Sequence, residues 1–215
     1  MQKKETITLA TGFKRGWELF LKQPWFFVWL TVILLAIAAL PELIPDVIWE
    51  RPIGVGLGLV YLFAVVVLSI AVQIGFVRIT LAAVRGKELS LRDIVTIRGS
   101  VVWHFAFLMF LAGVLTTLGF LFLVIPGVII GISFMFLQYV VVDNPTLKAG
   151  PALQQAWDMS KGVRWKLFGF MLVSVLLSIV GTLLLGVGLL VAIPVIGLTQ
   201  AVLYESLIKN ITLSR

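Results

Sequence analysis

Three glutamines lie inside otherwise apolar runs, and each has an ionisable residue five positions further on. The pairs are Gln73 with Arg78, Gln138 with Asp143, and Gln200 with Glu205. Polar side chains in membrane helices hydrogen-bond between helices, each bond contributing roughly 0.6–2 kcal/mol. Ionisable groups within reach of the bilayer are candidates for function by default. Two readings are open. In one, the glutamines are packing contacts and Arg78, Asp143 and Glu205 anchor helix ends, paired with neighbouring Lys or Arg. In the other, three related positions line a central cavity, and the charged ring binds a lipid head group or closes a pore.

The remaining reactive side chains do not form a catalytic set. His104, the single histidine, follows Trp103 and reads as an interfacial residue. Gly131-Ile132-Ser133 has the look of an intramembrane serine nucleophile. Such a serine needs a base within hydrogen-bond reach, and His104 starts one span on the cytoplasmic side while Ser133 lies part-way down the next. With no Cys, disulfides, thiolate metal sites and Cys nucleophiles are excluded. One His cannot make a His-pair metal site. There are no paired carboxylates, no P-loop and no dinucleotide fingerprint. The expectation is a chain that is not an enzyme and carries no cofactor or metal.

The elements that must position these residues follow from composition. Of 215 residues, 60% are hydrophobic and 13% charged, and the mean hydropathy is +1.11. Soluble domains carry about 45–50% apolar and about 25% charged residues, so a soluble globular or disordered chain is excluded. Apolar runs cover 25–40 and 53–77. Two uncharged stretches of 38 residues follow, 105–142 and 167–204. As single helices these would be about 57 Å long, about twice a 30 Å hydrocarbon core. Each must fold back as a pair of spans, with turn signals at Pro126-Gly127 in the first and at Gly186, Gly188 and Pro194 in the second. The runs lack the alternating polarity of barrel strands. The reading is an all-α polytopic membrane protein with six transmembrane helices arranged as three hairpins.

Orientation follows from the basic residues. Lys3, Lys4, Lys14, Arg15 and Lys22 precede the first span, and Arg78, Arg85, Lys87, Arg92 and Arg98 follow the second. Lys148, Lys161, Arg164 and Lys166 follow the fourth, and Lys209 and Arg215 the sixth. Only Arg51 falls on the other side, beside Glu42, Asp46 and Glu50. The positive-inside rule makes both termini cytoplasmic, in an inner or plasma membrane. The same rule accounts for the net charge of +7 without nucleic acid. Ala36-Ile37-Ala38 loosely resembles a signal cleavage site, but the polar region before it is long for a signal peptide, so the first span is expected to be retained.

The tryptophans carry an internal repeat. Trp17 and Trp25 are eight apart, as are Trp157 and Trp165, with Val95 and Trp103 at the same spacing between them. Each pair brackets an amphipathic stretch leading into a span. Phe13, Trp17, Phe20 and Leu21 oppose Lys14, Arg15, Glu18 and Lys22; Leu91, Ile94 and Val95 oppose Arg92, Asp93 and Arg98; Leu153, Ala156 and Trp157 oppose Gln154, Asp158 and Lys161. These have the character of short helices in the cytoplasmic interface. Trp103/Trp165, Gln138/Gln200 and Asp143/Glu205 share an offset of 62 residues. The reading is one membrane domain of three parallel units at about residues 11–85, 89–143 and 150–208. Trp17, Trp25, Trp103, Trp157 and Trp165, with Lys14, Arg15, Lys161, Arg164 and Lys166, are the expected contacts to anionic lipid head groups.

Ile125-Pro126-Gly127, Asp143-Asn144-Pro145, Ala152-Leu153, Ala156-Trp157, Lys161-Gly162 and Trp165-Lys166-Leu167-Phe168 resemble a bacterial and archaeal family of membrane domains. The family comprises the membrane domain fused to some glycerophosphoryl diester phosphodiesterases and its YciC-like stand-alone relatives. The likeness covers about residues 120–210, and in the first unit only Gly16-Trp17-Glu18-Leu19-Phe20. Many members carry a basic residue in the helix after Pro-Gly, whereas residues 131–139 here are uncharged, so no role of that charge is carried over. The resemblance implies a fold and no particular activity. The functional expectation is a non-catalytic scaffold or accessory protein acting with lipids or a partner membrane protein. The alternative is a transporter or channel for a small solute or lipid.

Overall fold

The computed structural model describes residues 8–43, 52–89, 99–184 and 186–212, and among these the regular elements are helices only. In chain order they are α1 (Leu9–Lys22), α2 (Pro24–Ala39), a 3₁₀ turn (Leu40–Leu43) and α3 (Pro52–Val84). Then come α4 (Gly99–Phe122), α5 (Val124–Phe134), α6 (Leu137–Asp143), α7 (Ala149–Ser160), α8 (Arg164–Leu183) and α9 (Leu189–Thr212). The amphipathic stretch from Leu91 to Arg98 lies outside the described residues, as do Lys3, Lys4, Asp46, Glu50, Arg51 and Arg215.

Among the described residues six segments are long and apolar enough to cross a membrane: Pro24–Leu43, Gly54–Val84, Gly99–Phe122, Val124–Asp143, Arg164–Leu183 and Leu189–Ile211. Their burial sorts them. The most apolar window of Leu189–Ile211 is 56% buried and that of Val124–Asp143 is 44%, against 17% for Pro24–Leu43, Gly54–Val84 and Arg164–Leu183. Hence α9 and the α5–α6 segment form the centre. Large apolar side chains such as Leu121, Phe122, Trp165 and Leu183 stand out around them, a surface that water would not tolerate at this extent.

Local chemistry sets the breaks. Pro24, which has no amide hydrogen, ends α1 and opens α2 at its first position, with Gln23 between them. The chain turns at Leu123, which is fully extended at φ −165° and ψ 150°, and not at Pro126-Gly127. Pro126 falls in the first turn of α5, where its missing donor has no intrahelical partner to lose. Gly127 is needed there because a Cβ would strike the Phe120 ring, with Phe120 N at 2.7 Å. Gly119 faces Gly127 across the same contact, where a Cβ added to Gly119 would lie 2.9 Å from Gly127 Cα, so α4 and α5 lie against each other. At the next turn Gly186 takes φ +77°, and Gly188 packs on Gly181. Pro194 is not part of that turn: it lies inside α9 as its sixth residue, where one lost bond is tolerable.

The stretch 124–143 is not one helix. Met135 and Phe136 form an irregular turn between α5 and α6. The Tyr139 amide bonds Phe136 O at 3.0 Å in place of Met135 O. No Pro or Gly marks this site, although Gly131 lies shortly before it.

The core has two parts. One gathers Ile74, Phe105, Leu108, Phe136, Leu137, Tyr139, Val140 and Tyr204. The other joins Phe20, Phe27, Leu30, Ile79, Val195 and Leu198 from α1, α2, α3 and α9. The face α1 buries is Gly12, Gly16 and Phe20, whereas Trp17 and Leu21 are exposed. The protein-facing stripe is therefore offset from the aromatic one. Small residues let two helix backbones approach closely, and a Cβ on Gly16 would collide with Thr199, its backbone N lying at 3.0 Å.

Candidate functional site

The polar groups of this apolar molecule meet where α3, α6 and α9 converge. Arg85 is the cap residue of α3. Gly86, at φ +69°, adopts the left-handed conformation that stops the helix. The Lys87 amide reaches Ala82 O at 2.9 Å and the Gly86 amide reaches Ala83 O at 3.3 Å, closing the C-terminus with a Schellman motif. That stop places the Arg85 guanidinium between two carboxylates. Its Nη1 and Nη2 donate to Asp143 Oδ1 and Oδ2 at 2.7 and 2.9 Å, and its Nε donates to Glu205 Oε1 at 2.6 Å. Tyr204 donates its hydroxyl to Asp143 Oδ2 at 3.1 Å.

Electrostatics explains the choice of residues. Asp143 is the last residue of α6, at the negative end of the helix dipole, where a carboxylate is disfavoured unless a cation sits beside it. A guanidinium grips a carboxylate with two parallel bonds as no ammonium can. The Arg85 side chain is 31% exposed, with Asp143 at 19% and Glu205 at 28%, so the triad is partly shielded from water. Hydrogen bonding to Asp143, opposed by burial, raises the Arg85 pKa and keeps it protonated.

A second polar layer lies beneath. Gln200 Nε2 donates to Met135 O at 2.7 Å, the carbonyl released by the break between α5 and α6. Gln138 Nε2 donates to Gln200 Oε1 at 3.4 Å. Tyr139, fully buried, donates to Gly197 O at 3.0 Å, and its ring stacks on Tyr204 with centroids 5.4 Å apart. Gly197 leaves room for Phe76, whose ring would lie 2.6 Å from a Cβ there.

The sequence-derived candidates fall into two sets. Gln138 meets Gln200, and Asp143 and Glu205 meet through Arg85. Gln73 is exposed on α3, and the hydrogen bond between glutamines joins Gln138 to Gln200. The cation joining the acids is Arg85, seven residues beyond Arg78, and Arg78 is partly buried with partners of its own. Arg85 was legible: a basic residue followed by Gly is a helix-stop signal. Spacing from Gln73 pointed instead to Arg78.

The tryptophans and remaining cations lie outside this centre. Trp17 (stacked on Phe20), Trp25, Trp103 and Trp165 are exposed. Trp157 is partly buried against Phe134 and beneath Arg164, whose guanidinium carbon is 4.6 Å from the indole centroid. Lys14, Arg15 and Lys166 are exposed, and Lys161 pairs with Asp158 at 2.7 Å. His104 Nε2 lies 2.9 Å from Leu147 O; a carbonyl only accepts, so that nitrogen carries the proton. Ser133 is buried, donates to Ile129 O at 2.7 Å and accepts from Ser160 Oγ at 3.0 Å. Its hydroxyl is thus engaged by backbone and serine, with no base among its described partners. Among the described residues no cluster of three or more His, Cys, Asp or Glu could hold a metal.

Scans of the chain against protein-family models, curated proteins and solved structures return no match.

Proposed function

We propose that the chain is a non-catalytic scaffold or accessory protein of an inner or plasma membrane, acting with lipids or a partner membrane protein. In this reading the six apolar helices are three hairpins, α2 with α3, α4 with α5–α6, and α8 with α9. Helices α1 and α7, with the stretch 91–98, lie in the cytoplasmic interface ahead of each hairpin, and both termini are cytoplasmic. Kinship with the phosphodiesterase-linked membrane domains, and descent from a threefold repeat, belong to the same proposal.

One observation carries the reading. The polar side chains between helices bond to one another: Arg85 to Asp143 and Glu205, Gln138 to Gln200, and Gln200 to Met135 O. Around them Phe136, Leu137, Tyr139 and Tyr204 are fully buried. Such an arrangement fixes helix positions and leaves the exposed apolar surface on the outside for lipid or a partner. Cross-linking in intact membranes, followed by comparison of lipid content and partner abundance with and without the chain, tests it. Specific cross-linked partners, or a changed lipid profile on deletion, are expected; neither appearing would overturn the reading.

A transport function has one feature in its favour. A cleft of about 570 Å³ beside α8 and α9 is lined by Ser174, Ser178, Thr182 and Gln200 among apolar side chains. The Ser174 hydroxyl is buried there without a hydrogen-bond partner. Flux of lipid or a small solute through reconstituted liposomes, lost on replacing Gln200 while the fold persists, would establish this alternative.

A further inference from the structure

A second cleft, of about 330 Å³, runs between α5 and the first turn of α8. Val124, Ile125, Val128, Ile129 and Ile132 form one wall, and Trp165 and Phe168 stand on the other. Arg164 is the one charged residue in its lining. The wall residues on α5 recur at spacings of three and four, so they make one continuous apolar stripe down the helix.

Arg164 is held in place. Its guanidinium lies on the Trp157 ring, and its Nε approaches Ser160 Oγ at 3.5 Å. Gly162, at φ +78°, makes the tight turn that brings the end of α7 and the start of α8 together. Among the described residues no carboxylate lies within ion-pair distance of Arg164, whereas neighbouring Lys161 is matched by Asp158. The terminal nitrogens of the guanidinium remain to recognise an anion, and their fork suits phosphate oxygens.

The occupant that fits is amphipathic and anionic. A helix is about 10–12 Å across, so a cleft of about 330 Å³ would hold less than one turn of it. An extended hydrocarbon chain fits such a slot, and an anchored, unmatched cation in its lining calls for a negative head group. We propose that this cleft binds one anionic phospholipid, its acyl chain against α5 and its phosphate on Arg164. The proposal deepens the lipid-associated reading above and rests on the α7–α8 turn lying at the membrane surface.

Native mass spectrometry of the full chain in detergent, supplied with equal dioleoyl phosphatidylglycerol and dioleoyl phosphatidylcholine, tests it. The wild type is expected to retain one phosphatidylglycerol about fivefold over phosphatidylcholine, the effect of about one basic group near the surface. Arg164→Gln should bring the ratio close to one, and Arg164→Lys should keep most of the preference. Ile129→Trp, which fills the cleft, should reduce retention of both lipids with helix content unchanged. Lys209→Gln, far along α9, should leave the ratio as it was. Inorganic phosphate at the same concentration should not displace the lipid.

Equal retention of the two lipids by the wild type would overturn the site. So would an undiminished preference in Arg164→Gln, or displacement by phosphate alone, which would make it a simple anion site. Should Arg164→Gln not fold, undiminished retention of both lipids by Ile129→Trp decides against the cleft. These failures would leave partner capture in membranes, and with it the scaffold reading, intact; the converse result would separate them equally well.

Discussion

Arg85 ties the ends of α3 and α6 to the side of α9, and its removal would leave Asp143 and Glu205 facing each other without the guanidinium that bridges them. Exposed ion pairs contribute about 0–1 kcal/mol and breaking a buried pair costs about 3–5. The triad lies between those cases, so Arg85→Gln should destabilise the fold by about 1–2 kcal/mol. Thermal unfolding in detergent measures it. Adding Asp143→Asn and Glu205→Gln to that variant should restore most of the loss, since the unpaired charges are then gone. If the triple variant is no more stable than Arg85→Gln, packing and not charge is what Arg85 supplies. The glutamines make a graded series. Gln200→Leu strands the Met135 carbonyl and should cost about 1–2 kcal/mol, Gln138→Leu less than about 1, and exposed Gln73→Leu close to none. Reversible unfolding in sodium dodecyl sulfate gives the order, and an equal loss at all three would contradict the observed geometry.

At the scale of elements, the contact of α1 with α9 depends on absence of side chain. Gly16→Ala pushes a methyl group against the Thr199 backbone and should cost about 1–3 kcal/mol, the usual range for overpacking. Gly56→Ala is the internal comparison: nothing lies within 4 Å of its added Cβ, so relief of glycine's conformational entropy should leave α3 equally or more stable, by up to about 1 kcal/mol. Both are read from the same melts. The interruption between α5 and α6 has the opposite logic. A broken helix in lipid needs a partner for each freed backbone group, and Gln200 supplies it from the neighbouring helix. That bond gives the glutamine deep in α9 a backbone partner, while the same residue also lines the cleft beside α8.

For the whole molecule, the proposed orientation is set by loop charge. Alkaline phosphatase fused after Leu123 or Gly186 should be active, and fused after Lys87 or Lys148 inactive, because the basic loops stay in the cytoplasm. The reverse pattern would invert the topology and put the Arg85 triad on the outer side. The burial order has its own consequence. α9 lies in both core clusters, so amide exchange there should be slower than in α8, which is largely peripheral.

Composition and run length, with no further information, determined six helices able to cross a membrane. The reason is general: a chain this apolar has no soluble alternative, and the length of an uncharged run fixes how often it can span a bilayer. The same runs carried the turns near Leu123 and Gly186, the latter marked by glycine's tolerance of positive φ. The glutamine and acid offsets singled out Gln138, Gln200, Asp143 and Glu205 as related positions but left open whether they pack together or line a cavity. What tertiary structure alone decided was which groups close those contacts. Arg85 and not Arg78 bridges the acids because Gly86 ends α3 at that point. α1 buries Gly12, Gly16 and Phe20 and leaves Trp17 and Leu21 of its aromatic stripe exposed, because α9 comes too close at Gly16 for a side chain. The break at Met135 carries no proline or glycine of its own. It exists because Gln200, 65 residues away, can satisfy the carbonyl it frees, and no local pattern records a partner that distant.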